Sequence, residues 1–246
     1  MSTGPRGTGG GTGGGGDRAG ARPSPLAGGM AQTGPHLGPS ALSQDYAETL
    51  VAEHPAAAAA RSRAAEVGVN PVSPGTAAAL TFLTATLGAR SAVEIGTGTG
   101  VSALALVSGL RSGGILTTVD IEGEHHRLAR TTMGEAGIAP TRARLINGRA
   151  LDVLPRLTDG AYDVVLADAD PAENPEYLTE ALRLLRPGGA VAFTGALAGD
   201  AAADPARRDA AATQARALHH AVLEDERLTV VLLAVGNGLL VATVTG

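Results

Sequence analysis

The sequence predicts an α/β fold: a mostly parallel sheet of seven strands, covered by helices on both faces and closed at its C-terminal end by an antiparallel hairpin. Three observations carry that expectation. Short apolar runs alternate with helical stretches between residues 92 and 225, and a turn with three alternating glycines follows the first of those runs. Two β-rich runs then flank Gly236-Asn237-Gly238 near the end of the chain, as expected of a hairpin.

Residues 1–40 hold 14 of the 35 glycines, several prolines and almost nothing large and apolar. Such a segment buries too little surface to offset its ordering entropy, so a disordered tail is expected. Its glycines are not a phosphate loop, because no strand precedes them. One domain is expected over 41–246, opening with a helical cap over about 41–88. SQDYAETLVAEH reads as a helix capped by Ser43, and AAAAARSRAAEVG as a second with Pro55 in its opening turn. TAAALTFLTATL, Thr76 to Leu87, is a third.

Strands follow at Ala92–Ile95, Ile115–Val119, Ala143–Ile146, Val164–Ala167 and Ala190–Phe193. Helices are expected at 101–110, 123–136, 150–157, 175–186 and 206–225, and right-handed crossovers then make the sheet parallel. RLTVVLLAV and LLVATVTG form the closing hairpin.

Composition narrows the function. A formal net charge of −5 and a pI near 5.7 argue against a nucleic-acid partner, which needs a concentrated basic face. There is no cysteine, and all 19 basic residues are arginine, so thiolate metal sites, cysteine nucleophiles and lysine bases are excluded. No run suits a membrane span or a signal peptide, so a cytoplasmic location and no membrane partner are expected.

The chemistry concentrates in SAVEIGTGTGVSALAL, Ser91 to Leu106. Gly96, Gly98 and Gly100 let the backbone turn sharply and approach a ligand, with helix amides beyond them. The spacing also fits a dinucleotide fingerprint, so glycines alone leave the ligand open. Glu94 bears on the choice. A carboxylate ~4 Å from a phosphate charge costs on the order of 4 kcal/mol at an effective dielectric near 20, whereas a sulfonium or ammonium turns that cost into attraction. Asp120, twenty positions after Gly100, ends the LTTVD strand, where a carboxylate can accept both ribose hydroxyls. His125-His126 and His219-His220 lack metal-ligand spacing and read as solvated surface. Arg149 reads either as an adenine cover or as a solvated side chain, and Tyr162 and Tyr177 as packing residues.

VEIGTGTGVSALAL, LTTVDIEGEHHRLAR, INGRALDVLPRL, YDVVLADAD and LLRPGGAV occur in that order. With them the chain resembles the class I S-adenosylmethionine-dependent O-methyltransferases, in particular the caffeoyl-CoA and catechol O-methyltransferase-like group with its actinobacterial members, over roughly 43–246. The resemblance implies a Rossmann-like αβα sandwich, S-adenosylmethionine as cofactor, a small-molecule hydroxyl as acceptor and a homodimer formed through the cap. It places Glu94, Gly96, Thr97 and Ser102 around the methionine end of the cofactor with Val72 nearby, and Gly98 and Gly100 of the same turn are also expected to bind the cofactor. Asp120 and Ile121 fall at ribose and adenine, Ala150 beside adenine, and Asp168 and Asp170 beside the methyl group, Asp168 also touching substrate.

Two positions depart from that pattern. Metal-dependent members draw oxygen ligands from the first aspartate of LADAD and from an Asp-Asn step ending the fifth strand, which here is Thr194-Gly195. No divalent-metal site is therefore expected unless Asp170, Glu173 or Asp200 substitutes. The family's lysine after the aspartate pair is Pro171, leaving Asp168, Asp170 or a histidine as base, or an already acidic hydroxyl as acceptor. A catalytically silent cofactor-binding protein and an NAD-dependent oxidoreductase are the alternatives.

Overall fold

Alternation within single strands shows why the sheet is covered twice. On the fourth strand Val164 and Leu166 join one apolar cluster while Val165 and Ala167 join another, and on the fifth Ala190 and Ala192 part from Val191 and Phe193 in the same way. Successive side chains of a strand point to opposite faces, so strands apolar at every position require helices on both sides. The computed structural model describes residues 40–245 with Met1 and Gly4. The glycine-rich tail of the sequence reading lies outside the described residues.

In chain order the elements are α1 (Ala41–Thr49), α2 (Pro55–Glu66), α3 (Pro74–Thr86), β1 (Ser91–Ile95), α4 (Val101–Gly109), β2 (Ile115–Asp120), α5 (Gly123–Glu135) and β3 (Ala143–Asn147). There follow α6 (Ala150–Val153), β4 (Tyr162–Ala167), α7 (Asn174–Leu184), β5 (Leu185–Phe193), α8 (Ala210–Glu224), β6 (Leu228–Leu233) and β7 (Leu239–Val244). The sheet order is β3-β2-β1-β4-β5-β7-β6. The first five strands pair in parallel, and β7 runs antiparallel to both β5 and β6. The chain winds outward from β1 to β3, then restarts on the other side of β1 with β4. Ligands of open α/β sheets bind at such a reversal, beyond the carboxyl ends of the strands.

Several helix ends differ from expectation. Ser40, not Ser43, caps α1: Ser40 is extended and its Oγ accepts from the Ser43 amide at 3.3 Å, which puts Ser43 inside the first turn. That helix stops at Thr49 instead of reaching His54, whose Nδ1 accepts from the Ala56 amide and caps α2. Helix α3 opens at Pro74 behind a Ser73 cap. The stretch 150–157 gives only a short helix and a tighter turn at Leu154–Arg156, since Pro155 supplies no amide to continue the ladder. Helix α8 opens at Ala210, capped by Asp209.

The hairpin also explains its own composition. β7 lies inside the sheet and is buried at four successive positions, whereas β6 is the edge and leaves Val231, Leu232 and Leu233 exposed. Glu48 of α1 accepts from the amides of Gly75 and Gly236, at 2.7 and 2.6 Å, joining the cap to α3 and to the hairpin turn. Among the described residues no helix is long and apolar enough to cross a membrane.

Candidate active site

Everything singled out in the glycine segment gathers at the carboxyl ends of β1, β2 and β4. Gly96 adopts φ 91°, and a Cβ there would stand 2.1 Å from the carbonyl oxygen of Asp168, so the turns after β1 and β4 approach as closely as backbones can. Gly98, at φ 49°, faces only Val69 Cγ1, which brings the segment before α3 against the turn. Val72 in that segment is buried in the same apolar cluster as Val101, the first residue of α4.

Asp120 organises the turn. One carboxylate oxygen accepts from the amides of Thr97 and Gly98, each at 2.9 Å, and the other from the amide of Glu122 at 2.9 Å. His125 Nδ1 lies 3.1 Å from both oxygens. A carboxylate offers about four acceptor positions. Asp120 therefore holds the turn in shape as well as standing where the sequence placed it.

Glu94 is fully buried. In the parallel register it stands opposite Thr118, whose hydroxyl donates to Glu94 Oε2 at 2.6 Å. The Thr97 and Thr118 hydroxyls are 2.6 Å apart, and because the Thr118 proton is committed to Glu94, Thr97 donates to Thr118. Oε1 of Glu94 has no partner. Burial, the largest influence, drives its pKa up to about 8, against the opposing hydrogen bond from Thr118. The sequence reading took this carboxylate as charged; with no ligand present, burial instead favours its protonated form. A cation brought beside it would favour ionisation.

The other half of the site lies at the tips of β4 and β5. The Asp168 amide donates to Ile95 O, and its carboxylate accepts from the Thr194 hydroxyl, a contact that sequence reasoning missed. Burial pushes Asp168 up to about 6, although the Thr194 hydrogen bond pulls the other way. Asp170 is exposed, and its side chain caps the turn Pro171–Glu173 through the Ala172 amide at 2.9 Å. Glu173 pairs with Arg149, whose side chain stays 57% exposed, and accepts from the Tyr177 hydroxyl at 2.5 Å. Tyr177 is packed in the core, as expected. Ile121 is exposed beyond β2, and Ala150 is buried at the head of α6. Among the described residues no three acidic or histidine side chains converge as a metal-binding group.

His220 is exposed, as expected, beside Glu224, but the other three histidines depart from the solvated-surface expectation. His126 is buried with Nε2 unpartnered, and His125 stacks its polar edge on Asp120. Burial lowers the pKa of both His126 and His219. The helical period of α5 contained the signal for His126, which shares a face with the buried Ala129 and Met133.

A reversed parallel sheet, a glycine turn and acids at the tips of its first two strands define an α/β protein built around a nucleoside-type ligand. The family model for O-methyltransferases matches residues 47–244. A protein of Mycobacteroides abscessus named "Putative O-methyltransferase" is 48% identical over 198 residues, 80% of this chain and 92% of that one. A crystal structure from Corynebacterium glutamicum superposes with a TM-score of 0.78 at 33% identity, covering 83% of this chain and 96% of the other. The O-methyltransferase TomG of Streptomyces achromogenes, solved with S-adenosylmethionine, gives 0.75 at 32% identity over the same shares. The chain belongs to the O-methyltransferase family. That membership sets the oxidoreductase alternative aside.

Proposed function

We propose that the protein transfers the methyl group of S-adenosylmethionine to a hydroxyl of a small molecule, without a divalent cation. The observation that carries the reading is the buried Glu94 carboxyl with one oxygen unpartnered beside the glycine turn. Leaving such an oxygen unsatisfied costs about 1–3 kcal/mol, and a ligand ammonium or sulfonium beside it favours the ionised carboxylate, which a diphosphate would repel. The residues present fit the cofactor: Val72, Glu94, Gly96, Thr97, Gly98, Gly100 and Ser102 would hold its methionine end, and Asp120 its ribose. Ile121 and Ala150 would hold the adenine, and Asp170 would border the reacting end. Bound there, the cofactor supplies an electrophilic methyl group.

The chain's own contribution lies at Asp168. A carboxylate with a pKa of about 6 is mostly ionised at neutral pH and basic enough to take the acceptor's proton. Thr194 holds that carboxylate by its hydroxyl, where a cation would need it free. Glu173 is tied to Arg149 and Tyr177, Asp170 caps a turn, and neither is directed at Asp168. The acids present do not assemble the six-oxygen shell of a hard cation. Exposed Leu42 and Tyr46 on α1, Leu50 just after it and Phe82 on α3 support dimerisation through the cap.

Release of S-adenosylhomocysteine from a panel of hydroxylated acceptors, with and without EDTA, tests the reading. Turnover that survives EDTA supports it. Turnover abolished by EDTA refutes the metal-free part. Cofactor binding with no turnover supports the second reading, a silent binding protein, which Pro171 and Thr194 favour by displacing the family's base and ligand.

A further inference from the structure

The acceptor side has a chemistry of its own. A cavity of about 310 Å³ opens beyond the tips of β4 and β5, between the turn at Pro171 and helix α8, with Thr194 in its wall. That volume sits at the low end for small-molecule sites. Besides Thr194, its polar walls are three carboxamides, Asn174 at the head of α7, Gln214 on α8 and Asn237 in the hairpin turn. The rest is alanine, glycine, proline and leucine, and among the described residues no charged and no aromatic side chain lines it.

The three amides are not equivalent. Asn237 is committed, its Oδ1 accepting from the Gly199 amide at 2.5 Å. Asn174 is 8% exposed, and neither its side chain nor that of Gln214 bonds to another described residue. With no protein partner, both amides are free to bond a ligand carrying complementary groups that enters the cavity. An anion meets the opposite situation. Thr194 backs onto the Asp168 carboxylate, and Arg216 of α8 is turned to the carbonyls of Ala201 and Ala202. No cation of the cavity compensates a carboxylate brought into it.

We propose that this cavity is the acceptor pocket and that it selects by charge: it takes an uncharged molecule whose hydroxyl or carbonyl groups bond Asn174 and Gln214, and it rejects carboxylates. The proposal rests on the methyl-transfer reading above. Its test measures, by calorimetry on the protein loaded with S-adenosylhomocysteine, the affinity of a dihydroxybenzamide and of the corresponding dihydroxybenzoate, which differ in charge more than in shape. The amide binds at least tenfold more tightly than the acid. Asn174→Leu and Gln214→Leu each weaken the amide at least fivefold while S-adenosylhomocysteine affinity stays unchanged, and Gln214→Arg reverses the preference. Gln214 is only half-buried, so its variants keep the test available if Asn174→Leu fails to fold. Equal or tighter binding of the acid, no binding of either probe, or wild-type amide affinity in the leucine variants overturns the proposal alone. Failure to bind S-adenosylhomocysteine overturns the methyl-transfer reading and this one together.

Discussion

The tips of β1 and β2 and the tips of β4 and β5 lie side by side in one crevice, yet they are built on different principles. The first pair is a preorganised network: Asp120 is held by backbone amides and His125, and Thr97, Thr118 and Glu94 form a directed chain, with the second Glu94 oxygen left free. The second pair is open, with Asp168 held by one hydroxyl and a cavity lined by carboxamides beyond it, Asn174 and Gln214 without side-chain partners. A cofactor shared by many reactions suits a preorganised network, whereas an acceptor that differs from one family member to the next suits walls made of replaceable side chains.

Substitutions that strike one half and spare the other probe this division. Asp168→Asn should lower kcat by roughly 10²–10⁴-fold, the range for losing a positioned base, and leave S-adenosylhomocysteine affinity unchanged in calorimetry. Loss of cofactor affinity in that variant would merge the two halves. Asp120→Ala should weaken S-adenosylhomocysteine binding at least tenfold, because it removes the ribose partner and frees the Thr97 and Gly98 amides together. An unaltered Kd would mean that the ribose contact is misplaced.

The pH profile separates the halves further. Asp168 works ionised, and its pKa is raised to about 6, so kcat/KM should fall about tenfold per unit below pH 6 and lose that limb in Asp168→Asn. Glu94 acts on stability. Its folded pKa of about 8 lies above its ordinary 4.5, so the unfolded chain ionises first and stability drains away as pH rises between those values. Glu94→Gln should therefore gain little at pH 5 and at least about 2 kcal/mol, roughly 4–8 °C in Tm, at pH 8. A gain that does not grow with pH would place an ionised Glu94 in the free protein.

The sheet was legible because apolar runs bounded by turn residues need no tertiary context, and the hairpin announced itself through Gly236 and Gly238. Helix ends were less so: Ser40 and Ser43 are both competent caps, and only the backbone dihedrals decide between them. In the site, positions were legible and partners were not. Glu94 opposite Thr118 follows once the β1–β2 register is known, but no sequence spacing relates Thr194 to Asp168 or Gln214 to the cavity. The protonation of Glu94 escaped for a similar reason, since burial is a property of the fold and the argument from charge took the carboxylate as ionised.

Glu48 links residues 188 positions apart when it bonds Gly236. Synthesis proceeds from the N-terminus, so helix α1, with no buried residue of its own, leaves the ribosome long before the amide that fastens it has been made. The first of the described helices is thus the last to be secured, and the closing strands act as its latch.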